Sequence, residues 1–397
     1  MSRYTLLLLA AILTACSPRM APQPPTEGPL SFTILQINDV YEISPLEGGK
    51  VAGLARVATV IRELEAENPN TIAVIAGDFL SPSFAGNLRL DNGEKIAGLQ
   101  MVETLNAMGL DYATFGNHEF DLSDPQLLQA RLDASDFAYM SCNARFRQGG
   151  DLVPFTQDGQ PIPDYSIHTF TYPDGRTLEV AIVGVVLPFN QIDYVAYLPV
   201  EESFRAAAAA ARREAPVVVG LTHLAVDEDE ELAAAVPGLP LFMGGHDHEH
   251  MSRYVGQTAI TKADANAKTV YVHRCTFYPE AGITQVNSEL VFIDDAIASE
   301  PATEAVVDRW NAIVDERIAA QGYDPNQMLL EARSPLEGTE AAVRNYQTSY
   351  GRLTCRAFEY AYPGADVYLF NGGSLRLDDN LLGQITSYDV LRSFPYG

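Results

Sequence analysis

The chain is poor in cysteine, with four in 397 residues, and it has a single tryptophan. No pair of cysteines has CxxC or zinc-knuckle spacing, which excludes a disulfide-stapled miniature fold and a structural zinc ribbon. Basic residues are also scarce: 26 Lys and Arg stand against 52 Asp and Glu, for a formal charge of −26. A surface for duplex nucleic acid needs clustered cations to neutralise phosphates and release counterions, and the sequence holds no such cluster. The same acidic surplus repels small anions at long range, so phosphate chemistry here requires a local positive centre such as a metal pair. Long apolar runs are missing as well. The run at residues 6–11 is far short of the roughly 20 residues that a membrane-spanning helix needs.

What is present is 47% apolar residues, enough for a sizeable core. Met1-Ser2-Arg3 is a short basic n-region, residues 6–11 form an apolar h-region, and Leu13-Thr14-Ala15-Cys16 resembles a bacterial lipobox. Residues 1–15 are thus expected to be a lipoprotein signal peptide, Cys16 the lipidated mature N-terminus, and residues 16–29, rich in Pro, a flexible tether. The expected location is the cell envelope after export, facing the periplasm, with the lipid anchor as the only membrane contact. Cys142, Cys275 and Cys355 are then left over and are expected as free thiols.

From Ser31 onward short apolar strands alternate with amphipathic helices. Strands are predicted over 32–37, 71–76, 112–115, 217–221 and 239–243, and helices over 52–67, 98–108, 124–132 and 201–213. That alternation predicts an α/β layered domain over residues 30–300. Closely spaced strands within 255–293 would complete a sheet edge. A helix over 302–321, with apolar Val306, Trp310, Ile313, Val314 and Ile318, predicts a connector across 301–328. A second, smaller α/β unit follows over 329–397, with a helix at 340–362 and a strand at 366–370.

The chemistry-bearing residues fall where the strands end. The five turns are Asn38-Asp39-Val40-Tyr41, Gly77-Asp78, Gly116-Asn117-His118-Glu119-Phe120-Asp121, Thr222-His223 and Gly244-Gly245-His246-Asp247-His248. Carboxyl ends of strands form the ligand crevice of α/β sheets, so these turns can converge on one site. Carboxylate, amide oxygen and imidazole together suit two ions of Zn, Mn or Fe, which sit about 3.5–4 Å apart when they clamp a transferring phosphoryl group. One carboxylate must bridge such a pair, and Asp78 follows a buried strand closely enough to do so. His250, His273 and Glu119 are read as structural.

The ordered blocks GD, GNHEFD and GGHDH resemble the calcineurin-like metallophosphoesterases, and within them the 5′-nucleotidase and UDP-sugar hydrolase family, from about residue 31 to the last residue. The resemblance implies a four-layer α/β/β/α sandwich followed by a C-terminal 5′-nucleotidase domain. It implies that Asp78 bridges the metals, that Asn117, His223 and His246 complete one site, and that Asp39 and His248 serve the other. It gives His118 the stabilisation of the transition state or protonation of the leaving oxygen, with Asp121 orienting the imidazole, while a metal-held hydroxide attacks phosphorus. The substrate implied is a small phosphate ester, such as a nucleotide. The Asn371-Gly372-Gly373-Ser374-Leu375-Arg376 turn matches the family's recognition turn, with Asn371, Gly372 and Arg376 as the substrate contacts.

Two features depart from the pattern. The first motif, usually Asp-x-His, reads Asp39-Val40-Tyr41, so tyrosinate, water or Glu42 would have to replace an imidazole; Tyr350-Gly351-Arg352-Leu353 stands where relatives often have Gly-Asn. Relatives also continue past this point, and the resemblance implies a truncated recognition domain. The alternatives are a thiosulfate-ester hydrolase on the same scaffold, or a surface lipoprotein that binds ligand without turnover.

Overall fold

The computed structural model describes residues 28–396, so the signal peptide, Cys16 and most of the tether lie outside the described residues. Two six-stranded sheets form the centre. The first runs Ile283–Phe292, Thr269–Tyr278, Leu30–Ile37, Thr71–Ala76, Tyr112–Thr114, Ala138–Met140. Its last four strands are mutually parallel, and the hairpin Thr269–Tyr278/Ile283–Phe292 adds to it antiparallel. The second runs Met251–Val255, Thr258–Lys262, Leu241–Gly244, Val217–His223, Thr177–Val186, Tyr165–Thr171, with parallel pairing in the middle and an antiparallel strand at each edge.

The period of two along a strand sends alternate side chains to opposite faces. Phe32, Ile34, Ile72, Val74 and Ala76 pack against Val180, Ile182, Val217, Val219, Leu221, Leu241 and Met243, which makes the layer between the sheets apolar and fully buried. Leu35, Ile37, Ala73 and Ile75, like Ala181, Val183 and Phe242, point the other way into the helices. Leu54–Glu67 answers with buried Leu54, Val57, Ala58, Ile61 and Leu64, one face at helical spacing. Val200–Ala211 covers the second sheet with Phe204, Ala207, Ala208 and Ala211. Helix, sheet, sheet, helix is the four-layer order expected from the sequence.

Pro301–Ala320 packs on Leu54–Glu67 and Leu99–Met108. Its buried Val307, Trp310, Val314 and Ile318 belong to the main core, and the Trp310 indole N–H donates to Glu103 Oε2 at 2.8 Å. Beyond it, Met328–Glu337 pairs antiparallel with Asn380–Thr386 over a small core of Ala332, Tyr350, Leu375, Leu377, Leu381 and Ile385. The helix predicted over 340–362 is two helices, Glu340–Asn345 and Ser349–Ala361. Tyr346 turns extended, and the Thr348 hydroxyl caps a new start by accepting from the Gly351 N–H. The strand predicted over 366–370 does not form. Val367 and Leu369 are exposed there, and among the described residues no strand lies alongside to take its N–H and C=O groups. Cys142 and Cys275 are buried and Cys355 is half-buried, all three free. No helix among the described residues is long and apolar enough to cross a membrane.

Candidate metal centre

The parallel strands bring their carboxyl ends together between the sheets. Asp39, Asp78 and Asn117 follow three strands of the first sheet, while His223, His246 and His248 come from the ends of two strands of the second. Asp78 Oδ2 lies 3.1 Å from His223 Nε2. Asp39 Oδ1 lies 4.0 Å from the same nitrogen and 3.4 Å from His248 Nε2. One donor atom each from Asp39, Asp78 and His223 fit within 4.8 Å of one another, all three residues buried. The rings of His223 and His246 are 5.5 Å apart, and the His246 N–H donates to Asp39 Oδ2 at 2.8 Å.

These donors sit on unusual backbone. Asp39, Asp78, His246 and His248 have φ of 53°, 56°, 82° and 62°, the left-handed region that costs non-glycine residues energy and recurs at functional sites. The turns also approach one another too closely for side chains. A Cβ on Gly116 would strike the Asp78 carboxylate, and one on Gly245 would strike the Ala76 carbonyl and come within 2.8 Å of His223 Nδ1. Glu119 holds this arrangement from below, accepting from the N–H groups of Asp78, Phe79, Leu80 and Gly116, the structural part expected of it.

His118 Nδ1 lies 2.7 Å from Asp121 Oδ2, which leaves Nε2 as the ring nitrogen facing away from that carboxylate. Asn190, which no sequence pattern singles out, donates to Asp121 Oδ1 at 2.6 Å and to the Asn117 carbonyl at 2.7 Å. Lys262 is equally hidden in the sequence. Fully buried, its Nζ donates to the carbonyls of Leu224 and Gly245 and to Asp247, and it lies 2.8 Å from Asp229 Oδ2. It thereby ties the turn after His223 to the turn that carries His246 and His248.

Tyr41 brings its hydroxyl into the centre, 3.1 Å from His248 Nε2 and 3.4 Å from Asp78 Oδ2. Glu42 does not take that place; it accepts from the Tyr388 hydroxyl at 3.0 Å. Arg376 reaches in from the C-terminal segment, its Nη2 3.3 Å from both Tyr41 Oη and His118 Nε2. Its turn partners stay local: Asn371 Oδ1 accepts from the Gly373 N–H, and Gly372 packs on the Val343 carbonyl where a Cβ would clash. His250 pairs with Asp264 at the surface, His168 with the Tyr112 hydroxyl, and His273 with Gln36 and Ser288 in the core.

Burial works against ionised carboxyls, yet His248 and His223 hold Asp39 below its usual range, and His223 and His118 do the same for Asp78. Burial disfavours the His223 imidazolium, but Asp78 and Asp39 outweigh it and raise the pKa to about 9. His246 is pushed down to about 4 by burial and by His223. For His118, burial is outweighed by Asp78 and Asp121, and the pKa rises.

The donor set fits cations. Asp39 Oδ1, Asn117 Oδ1 and His223 Nε2 are buried with no hydrogen-bond partner, an arrangement that is costly unless something else satisfies those atoms. His223 Nδ1 lies 2.7 Å from the Ala76 carbonyl, which fixes a proton on Nδ1, so a cation that displaced the Nε2 proton would find that nitrogen already facing the two carboxylates.

A sandwich with carboxylate, amide and imidazole donors converging from both sheets defines the scaffold of a metal-dependent ester hydrolase. The family model for calcineurin-like phosphoesterases matches residues 32–250, and the chain belongs to that family. It is 26% identical over 416 residues to the trifunctional nucleotide phosphoesterase protein YfkN of Bacillus subtilis, an alignment covering 95% of this chain and 27% of that protein. The chain thus spans about a quarter of that relative's length. It is 21% identical to the 5′-nucleotidase of Homo sapiens, over 94% of this chain and 69% of that one. Among solved structures, the 5′-nucleotidase precursor of Thermus thermophilus superposes with a TM-score of 0.76 at 21% identity, covering 93% of this chain and 74% of the other; this likeness is one of fold.

Proposed function

We propose that the protein is a dimetal phosphohydrolase acting on phosphate esters of nucleotides. The observation that carries this reading is the buried Asp39–Asp78–His223 cluster with its orphaned donor atoms, flanked by the His118–Asp121 pair and by Arg376. Asp78 is assigned as the shared ligand, with Asn117, His223 and His246 on one side and Asp39 and His248 on the other. Ions of Zn, Mn or Fe bound there supply Lewis acidity and charge neutralisation that an acidic protein otherwise lacks. Arg376 meets a phosphoryl oxygen with its guanidinium at the point where Tyr41 Oη and His118 Nε2 converge. Hydrolysis adds water to phosphorus and breaks the P–O bond to the leaving group, whose oxygen takes a proton. His118 gives that proton from Nε2, while Asp121, fixed by Asn190, keeps its ring in line.

The reading extends to the rest of the chain. Residues 30–300 serve catalysis, 301–328 connect, and 329–397 serve substrate recognition. Residues 1–15 direct export, and Cys16 carries the lipid that holds the protein at the envelope. The test is metal analysis together with hydrolysis of AMP, UDP-glucose and cyclic nucleotides. Phosphate release from AMP by metal-loaded protein is expected. A metal-loaded protein that leaves every phosphate ester intact refutes the proposal.

A further inference from the structure

His248 is held from both ends. Its Nε2 faces Asp39 Oδ1 and Tyr41 Oη, while its Nδ1 lies 3.0 Å from Asp378 Oδ2 and 2.9 Å from Glu340 Oε2. Neither carboxylate belongs to the sandwich: Glu340 begins the helix Glu340–Asn345, and Asp378 lies two residues after Arg376. Asp378 is itself fixed. It is nearly buried, has a left-handed backbone with φ 47°, accepts the Glu340 N–H on Oδ1 at 2.9 Å, and offers its carbonyl to Lys268 Nζ at 2.7 Å. Glu340 is steered by Arg344 and by Arg376, the latter at 3.3 Å. A carboxylate that accepts the Nδ1–H of an imidazole selects one tautomer, fixes the ring plane and makes the opposite nitrogen a better metal ligand.

We infer that Asp378, supported by Glu340, is a positioning residue for the metal centre, so that the segment carrying Arg376 also sets the geometry of His248. The inference rests on the metal-centre reading above. One short stretch of chain then serves two purposes: Arg376 faces the substrate, and Asp378 faces a metal ligand from behind.

The test is a double-mutant cycle read as zinc affinity, by competition with a chromophoric chelator, in wild type, Asp378→Asn, His248→Ala and the pair. Asparagine suits the left-handed backbone and keeps the volume. Asp378→Asn is expected to weaken one of two zinc-binding steps by roughly 10–100-fold and to leave the other in place. In the His248→Ala background the same substitution should cost nothing further, because there is no ring left to orient. Unchanged affinity in Asp378→Asn overturns the inference while leaving the metal centre standing, provided His248→Ala still weakens binding. An undiminished loss in the His248→Ala background also overturns it, since the effect would then be general to the fold. A wild-type protein that binds no zinc refutes the metal-centre reading itself.

Discussion

The guanidinium of Arg376 lies over the ring of Tyr41, with its central carbon 5.4 Å from the ring centroid and Nη2 3.3 Å from the phenol oxygen. Their separation along the chain spans nearly the whole described structure, so the contact joins the C-terminal segment to the first strand end of the sandwich. Burial opposes the charge on Arg376, but Tyr41 and Glu340 more than compensate, and the cation is retained beside the acidic centre.

Removing that cation should therefore act on substrate rather than on metal. Arg376→Ala is expected to lower kcat/KM for a nucleotide monophosphate by about 10–100-fold, the worth of a hydrogen bond to a charged group, with metal content unchanged. Arg376→Lys should recover only part of the loss, because a point charge cannot reproduce the planar fork. Steady-state kinetics beside metal analysis decides the matter; a fall in metal content equal to the fall in rate would refute this assignment.

The His118 backbone N–H donates to Asp78 Oδ1 at 2.7 Å, yet the roles of the two residues should separate cleanly. Asp78→Asn is expected to lose metal and activity together. His118→Ala should keep its metal and lose about 10²–10⁴-fold in turnover, the usual contribution of general acid catalysis. Equal metal loss in both variants would mean that His118 acts through the fold alone.

Lys262 offers a test of stability. Its ammonium is surrounded by Asp229, Asp247 and two carbonyls with no access to water. Lys262→Met leaves a buried carboxylate unpaired and should destabilise the protein by about 3–5 kcal/mol, the cost typical of breaking a buried ion pair from one side. Urea unfolding measures it, and a shift below about 1 kcal/mol would show that water or a proton replaces the lysine at little cost.

Acid sensitivity should trace in part to His273. Burial pushes its pKa down to about 3, while the unfolded chain takes up the proton near 6.5. Between those values the unfolded state binds more protons, so stability falls as pH drops below about 6.5, by up to ~1.4 kcal/mol per pH unit, and rises again on return to neutrality. His273→Gln, able to bond Gln36 and Ser288, should flatten that part of the profile. An unaltered slope from pH 6 to 4 would exclude His273 as the source.

Much of this is legible in the sequence because the signals are local. Leu54–Glu67 follows from helical spacing, and Asp39, Asp78 and His223 announce themselves by standing immediately at the ends of apolar strands. The remainder depends on what meets what in space. Asn190 lies in a loop with no motif and matters because it reaches both Asn117 and Asp121. Lys262 lies at the end of a strand of otherwise ordinary pattern, and only the packing of two turns around its Nζ gives it a purpose. The break at Tyr346 escapes a periodicity argument because apolar spacing continues across it, whereas the Thr348 cap that restarts the helix is a single hydrogen bond. Residues 366–370 have strand composition, but a strand requires a neighbour as well as a propensity.

The distribution of donors has a mechanical consequence. Three of the six assigned ligands hang from one sheet and three from the other, so cations held among them rivet the two faces of the sandwich at the edge where the apolar layer ends. The metal would then be a clasp as well as a reagent. Because only the folded chain presents all six donors, saturation to a hundred times Kd should add about 2.7 kcal/mol to stability. Treatment with a chelator should lower Tm even when no substrate is present, and the drop should vanish in Asp78→Asn, where the two halves have lost their common ligand.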